Sequence, residues 1–261
     1  ISKNNIQYLK SQKIDLENSW PINKIKIFNE INKKNEILNF GQDNEELFYI
    51  VKSSELIDLL EKKIKKNPLV KIIKNNKHIY ESIIKNKKQF DIVLNFDENN
   101  PISKKYFFRR ENKDYNSVSY TAIINHKKCD NKFAYQVFTK LGPIAFLPLS
   151  NDKTSIVFSI LNENKGISNE EIFKLINKYN QNYIINSISK IEKFNIKGSI
   201  LKNYSHKNIL CFGDNIHKMH PLAGQGLNMT IRDIKVLSDL IDNKISLGML
   251  LDKSLLNEFE N

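Results

Sequence analysis

Apolar residues recur at two periods along this chain, and the alternation between them divides it into helices and strands. From Asn4 to Lys13 the helical period places Ile6 and Leu9 on one side, with Ile14 just beyond, until Trp20-Pro21-Ile22 breaks the pattern. Ile25 and Ile27 then alternate with lysines, and Ile37, Leu38 and Phe40 offer a partner strand. The apolar run Phe48–Val51 precedes Ser53 and Ser54, either of which suits a helix N-cap. Leu56, Leu59, Leu60 and Ile64 mark an amphipathic helix as far as about Lys66. Leu69 to Ile73 reads as a strand, residues 74–88 as a solvated connection or hairpin, and Phe90–Leu94 as a buried strand with Asp97 just past it.

The middle of the chain keeps period two. Val118–Ile124, Phe133–Phe138, Leu141–Leu149 and Ser155–Ile160 are strand patterns separated by short polar turns such as Ser150-Asn151-Asp152, which predicts an antiparallel sheet. Asn169–Tyr179 returns to the helical period with Ile172, Leu175 and Ile176 inward; Ile184–Phe194 reads as a second helix or a mixed stretch, and Phe194–Tyr204 as a strand and turn.

The most informative stretch follows. Ile209–Phe212 is a short apolar strand that stops at Gly213, and Asp214 stands at its carboxyl end, where open α/β sheets place ligand contacts. Pro221 stops regular structure, and Gly224 and Gly226 let backbone approach something flat or phosphorylated. From Leu227 onward Ile231, Ile234, Leu237, Leu240 and Ile241 recur at helical spacing, so a helix points its positive end back at this loop.

Composition changes the picture in one respect. The net charge is +12, which invites a nucleic-acid reading, yet only three of the 41 basic residues are arginine (Arg109, Arg110 and Arg232). Lysine, asparagine and isoleucine are spread throughout, as AT-rich coding would spread them, which argues against a nucleic-acid partner and leaves room for attraction to anionic lipid. Cys129 and Cys211 lack metal-ligand spacing and fit a reducing cytoplasm, with Cys211 in the core. His217 and His220 lie three apart, but no further ligands stand near, so no metal site is expected. No run of about 18 apolar residues is present. The chain opens on Ile1 and runs on in a helical pattern from Leu255 to Asn261, which suggests a fragment of a longer protein.

The run Gly213-Asp214-x-x-His217-x-x-His220-Pro221-Leu222-Ala223-Gly224-Gln225-Gly226-Leu227-Asn228, followed by Arg232-Asp233, resembles the flavoprotein aromatic hydroxylases of ubiquinone biosynthesis. These are class A FAD monooxygenases with the p-hydroxybenzoate hydroxylase fold. A second stretch, Tyr135-x-x-Phe138-Thr139-x-x-Gly142-Pro143-x-Ala145-x-Leu147-Pro148-Leu149, resembles their substrate-domain sheet. The resemblance implies an α/β (α+β) fold in which a three-layer FAD-binding domain (1–20, 48–104 and 198–261) interleaves with an antiparallel-sheet substrate domain (21–47 and 105–197), in truncated form. It implies FAD as cofactor, NAD(P)H and O2 as co-substrates, and hydroxylation of a polyprenyl phenol. Asp214 would hold a ribityl hydroxyl, Pro221, Leu222, Ala223, Gly224, Gln225, Gly226, Leu227 and Asn228 would cradle the flavin, and Asp97 would lie beside it and its pyrophosphate. Gly142, Pro143, Phe146 and Pro148 would line the substrate side.

By the same resemblance no side-chain acid–base pair is expected to be catalytic, because the cofactor carries the difficult chemistry. The location implied is cytoplasmic, peripheral on the inner membrane, within reach of a quinone-synthesis assembly. Three departures qualify this. Ser54 stands where the family often carries arginine, Glu98 replaces a glycine beside the expected phosphate site, and the Gly-x-Gly-x-x-Gly unit that binds the ADP half is missing from the sequence. The rival expectations are a flavoprotein of the same fold with another substrate, and a catalytically degenerate assembly partner.

Overall fold

The computed structural model describes residues 1–31, 36–41, 45–73, 77–85, 90–161, 167–219 and 224–260. In chain order the elements are α1 (Lys3–Ser11), β1 (Trp20–Ile22), β2 (Lys24–Asn29), β3 (Leu38–Gly41), β4 (Phe48–Ile50), α2 (Ser53–Lys66), α3 (Lys77–Ile84), β5 (Val93–Asn95) and α4 (Pro101–Tyr106). The long strand β6 (Arg110–His126) follows, then β7 (Phe133–Thr139), β8 (Gly142–Ser150), β9 (Lys153–Leu161) and α5 (Asn169–Tyr179). The chain closes with β10 (Ile185–Ile188), β11 (Glu192–Leu201), β12 (Ser205–His206), β13 (Ile209–Cys211), β14 (His217–Lys218), α6 (Gln225–Ser246) and α7 (Lys253–Glu260).

By contacts the chain divides into two units, Ile1–Lys63 with Asn116–Ile196 and Ile64–Tyr115 with Lys197–Asn261. The expected division assigned residues 1–20 and 48–63 to the FAD-binding part; by contacts they belong with the antiparallel sheet.

In the first unit the strand order is β6-β9-β8-β7-β2-β3, antiparallel except for the parallel pair β2–β7, with β10 added to β6. Period-two burial along β8 places Ile144, Phe146 and Pro148 on the core face. There Phe146 stacks on Tyr135 at 4.3 Å between ring centroids, and Ile172, Ile176 and Tyr179 of α5 close over the sheet. α5 starts at a capping box, with Ser168 and Glu171 each satisfying the other's backbone N–H.

The second unit holds the three-stranded sheet β12-β13-β5, whose β13–β5 pair is parallel. Leu210, Phe212, Leu237, Leu255 and Leu256 pack α6 and α7 against it. Lys244 of α6 is buried and donates to Glu258 at 2.6 Å and Ser254 at 2.9 Å in α7.

Several expectations need correction. Leu69–Ile73 forms no strand, because nothing among the described residues pairs with it and its side chains stand in solvent. The stretch 74–88, read as a connection, contains α3, which packs Tyr80, Ile83 and Ile84 against buried Ile102 and Phe107. Phe90–Leu94 shrinks to β5, with Phe90 and Leu94 exposed. Ile184–Phe194 is strand, not helix, since β10 pairs with β6. Ser53 opens α2 as its first residue and does not precede it.

Candidate functional site

The site builds outward from β13. Ile209, Leu210 and Cys211 are fully buried, as a central parallel strand requires, and burial pushes the Cys211 thiol up to about 12. Gly213–Asn215 then makes one 3-10 turn, closed by the Ile216 N–H donating to the Gly213 carbonyl at 2.9 Å. This turn points alternate side chains in opposite directions. Asp214 is exposed and its carboxylate has no hydrogen-bond partner among the described residues, whereas Asn215 is buried.

Asn215 is the hub of a polar network that sequence reasoning missed. Its Nδ2 donates to the Asn95 carbonyl at 2.9 Å, and its own carbonyl accepts from Arg110 Nη1 at 2.8 Å while its Oδ1 accepts from Nη2. Asn95, at the end of β5, donates to Ser103 Oγ at 2.7 Å and accepts from Asn100 Nδ2 at 2.5 Å. Asn100 caps α4 by accepting from the Ser103 N–H at 2.9 Å. Two signals could have found this network: an asparagine ending an apolar strand, and one of only three arginines in a lysine-rich chain, since a planar fork is what a bidentate contact needs. Ser103 is buried inside this network.

The Asp97 side chain is exposed and accepts from the Asn99 N–H at 2.8 Å, while its carbonyl accepts from Ser103 Oγ at 2.6 Å. It therefore shapes the turn between β5 and α4. Glu98, the charge that seemed misplaced, forms an ion pair with Lys218 of β14. Its negative charge is balanced within the unit.

Across from the 3-10 turn stands the start of α6. Gly224 is its N-cap at φ 63° and ψ 30°, a left-handed conformation that a side chain would strain, and among the described residues no side chain caps the first turn. Asn228 Nδ2 folds back to donate to the Gly224 carbonyl at 3.1 Å. A Cβ built on Gly224 or Gly226 meets nothing within 4 Å among the described residues. A Cβ built on Gly213 lies 3.6 Å from Thr230 Cγ2, which shows the first turns of α6 packed on the 3-10 turn. Gln225 and Leu227 are exposed. His220, Pro221, Leu222 and Ala223 lie outside the described residues.

His217 is buried, and its Nε2 has no hydrogen-bond partner among the described residues. Burial raises the Asp233 carboxyl above the usual range, an effect that His217 and Arg232 partly offset.

The arrangement fits a flavin. Backbone N–H groups at a helix's positive end favour anionic character in a ring, and two glycines there add no side chain of their own to block its approach. A partner-free carboxylate on the neighbouring turn can accept from a hydroxyl.

In the first unit the expected substrate-side residues divide. Gly142 and Pro143 are half-buried at the β7–β8 turn. Gly142, at φ 139°, lies so close to β9 that a Cβ would sit 2.0 Å from the Ser159 carbonyl oxygen, so only glycine fits. Phe146 and Pro148 are core residues, which removes their side chains from any ligand-facing surface. Period two puts Pro143, Ala145 and Leu147 on the opposite face.

Comparison with known families now decides the matter. The sequence model of the family described as FAD binding domain matches residues 113–245, just over half of the chain. The chain belongs to this family of FAD-binding domains. The matched range includes Asp214, Gly224 and Gly226. This FAD-binding chain is 28% identical over 163 residues to the mitochondrial ubiquinone biosynthesis monooxygenase COQ6 of Dictyostelium discoideum, covering 48% of the chain and 33% of the relative. It is 24% identical over 155 residues to the ubiquinone hydroxylase UbiM of Neisseria meningitidis, covering 57% of the chain and 34% of that protein. The chain thus spans about a third of the length of these curated relatives.

Among solved structures, PqsL of Pseudomonas aeruginosa superimposes with a TM-score of 0.73 at 15% identity, over 99% of this chain and 79% of that one. The 2-methyl-3-hydroxypyridine-5-carboxylic acid oxygenase does so at 0.72 and 11%, over 100% and 74%. The FAD-binding chain has the p-hydroxybenzoate hydroxylase-like fold of these proteins.

Proposed function

We propose that this chain is the flavin-holding and substrate-facing part of an FAD-dependent monooxygenase that hydroxylates the ring of a polyprenyl phenol in ubiquinone biosynthesis. The observation that carries the reading is an exposed Asp214, without a hydrogen-bond partner among the described residues, beside a start of α6 that carries two glycines, Gly224 and Gly226. Similarity to COQ6 and UbiM supports the pathway.

Bound FAD would supply the redox chemistry between NAD(P)H, O2 and the aromatic ring. The chain's own residues bind and orient. Asp214 accepts a hydrogen bond from a ribityl hydroxyl. The N–H groups of Gly226, Leu227 and Asn228 face the electron-accepting edge of the ring, where helix dipole and backbone donors stabilise added negative charge without a side chain. The exposed Leu227 adds an apolar contact that helps to keep water from the ring. On the sheet, Gly142 and Pro143 with the outward face of β8 at Leu147 offer an apolar floor to the substrate. A polyprenyl phenol dissolves in lipid, so the enzyme works as a peripheral protein at a membrane and beside other quinone-synthesis proteins.

The degenerate-partner reading rested on Glu98 and Ser54; the Lys218 pairing removes the electrostatic objection to Glu98. Substitution of Asp214 by alanine in the full-length polypeptide tests the proposal. FAD affinity should fall about tenfold or more, the loss of a hydrogen bond to a charged group, while the melting temperature of the apoprotein stays put. Unchanged flavin content in Asp214→Ala would sink the assignment.

A further inference from the structure

The stretch Ile64–Ile73 in the second unit is exposed at every position, and it contains five large aliphatic residues. Leu69 is 93% exposed, Ile72 67% and Ile73 59%, with Ile64 and Val70 also exposed. The stretch is a built turn. α2 ends before Pro68, the Asn67 N–H donates to the Ile64 carbonyl at 3.2 Å, and the Asn67 side chain accepts from the Leu69 N–H at 3.0 Å. The Val70 N–H then donates to the Asn67 carbonyl at 3.1 Å. These bonds hold Leu69 outward.

Within Ile64–Ile73 the charges have one sign, although Glu61 stands one turn before Lys65 on α2. Lys65, Lys66 and Lys71 interleave with them, Lys62 and Lys63 precede them along the sequence, and Ile64–Ile73 contains no acidic residue. Lysines in the last turn of α2 complement its dipole, which accounts for Lys65 and Lys66. It accounts neither for Lys71 nor for five solvated aliphatics.

We propose that the Ile64–Ile73 turn is a docking surface for an anionic phospholipid bilayer. Aliphatic side chains alternating with long ammonium side chains suit the headgroup boundary: Leu69, Ile72 and Ile73 enter the acyl edge while Lys65, Lys66 and Lys71 reach the phosphates. A protein groove would call for a one-sided apolar stripe, whereas exposed lysines interleaved in sequence with exposed aliphatics, Leu69 the most exposed, match a charged lipid surface. The inference rests on the polyprenyl-phenol reading only for a bilayer being at hand, and it names the segment that makes the contact.

The test sediments the full-length polypeptide with vesicles of phosphatidylcholine alone or with one-third phosphatidylglycerol. Binding should require the anionic lipid and weaken as salt rises. Lys66→Gln with Lys71→Gln, and separately Leu69→Ser with Ile72→Ser, should each reduce partitioning about tenfold or more, with the flavin spectrum retained. Equal binding by parent and variants overturns the proposal. So does a drop in melting temperature or a change in oligomeric state without a change in lipid binding, because the turn is then covered by protein. Loss of flavin from the parent protein would count against the flavoenzyme reading and leave the vesicle comparison intact.

Discussion

Asn215 and Asp214 are adjacent and do opposite work. The first is buried and fully engaged; the second is exposed and free of partners among the described residues. Replacing Asn215 by alanine keeps the main-chain carbonyl that accepts from Arg110 Nη1 but removes the Oδ1 that accepts from Nη2 and the Nδ2 that donates to the Asn95 carbonyl, in a buried setting. We expect a loss of about 2–3 kcal/mol in denaturant unfolding, with reduced flavin affinity as the 3-10 turn loosens. Asp214→Ala should show the reverse pattern, a binding loss without a stability loss. The sequence made Asp214 legible because it ends an apolar strand inside a long motif. It left Asn215 obscure, because one asparagine among many carries no signal until Arg110, 105 residues away, is seen to reach it.

At the scale of elements, the sheet of the first unit followed directly from period-two alternation, and α1, α2, α5 and α6 from helical spacing. The failures share a cause. Leu69–Ile73 and Phe90–Leu94 are apolar enough for strands, but a strand is completed by its neighbour, and composition cannot supply one. One side chain ties three elements of this unit together. Glu30, following β2, accepts from the Lys140 N–H at 2.9 Å, from Lys178 at 3.0 Å and from Tyr179 at 2.8 Å. These bonds, the backbone one first, hold its carboxyl down to about 2. A depressed carboxylate stabilises the folded state fully above its unfolded value of about 4.3, and that stability is lost as pH falls towards 2. Glu30→Gln should cost about 1–2 kcal/mol at neutral pH, a difference that shrinks as pH falls below about 4 and through 2, measured by urea unfolding across that range.

For the whole molecule, the expected α/β architecture and FAD as ligand stand, while reaction and substrate are proposals that tests on the full-length protein decide. Among the described residues no helix is long and apolar enough to cross a membrane. Binding of FAD to the folded state alone should raise stability by about 2.7 kcal/mol when free FAD is 100 times its dissociation constant, read as a concentration-dependent melting temperature. The parallel pair β2–β7 has a consequence for synthesis. Lys24 pairs with Phe133, so β2 leaves the ribosome more than 100 residues before its parallel neighbour exists. At translation rates of roughly 5–20 residues per second, the nascent β2–β3 hairpin waits about 5–20 seconds with one edge unsatisfied. A chaperone that held the hairpin over that interval would keep the open edge from pairing with another chain.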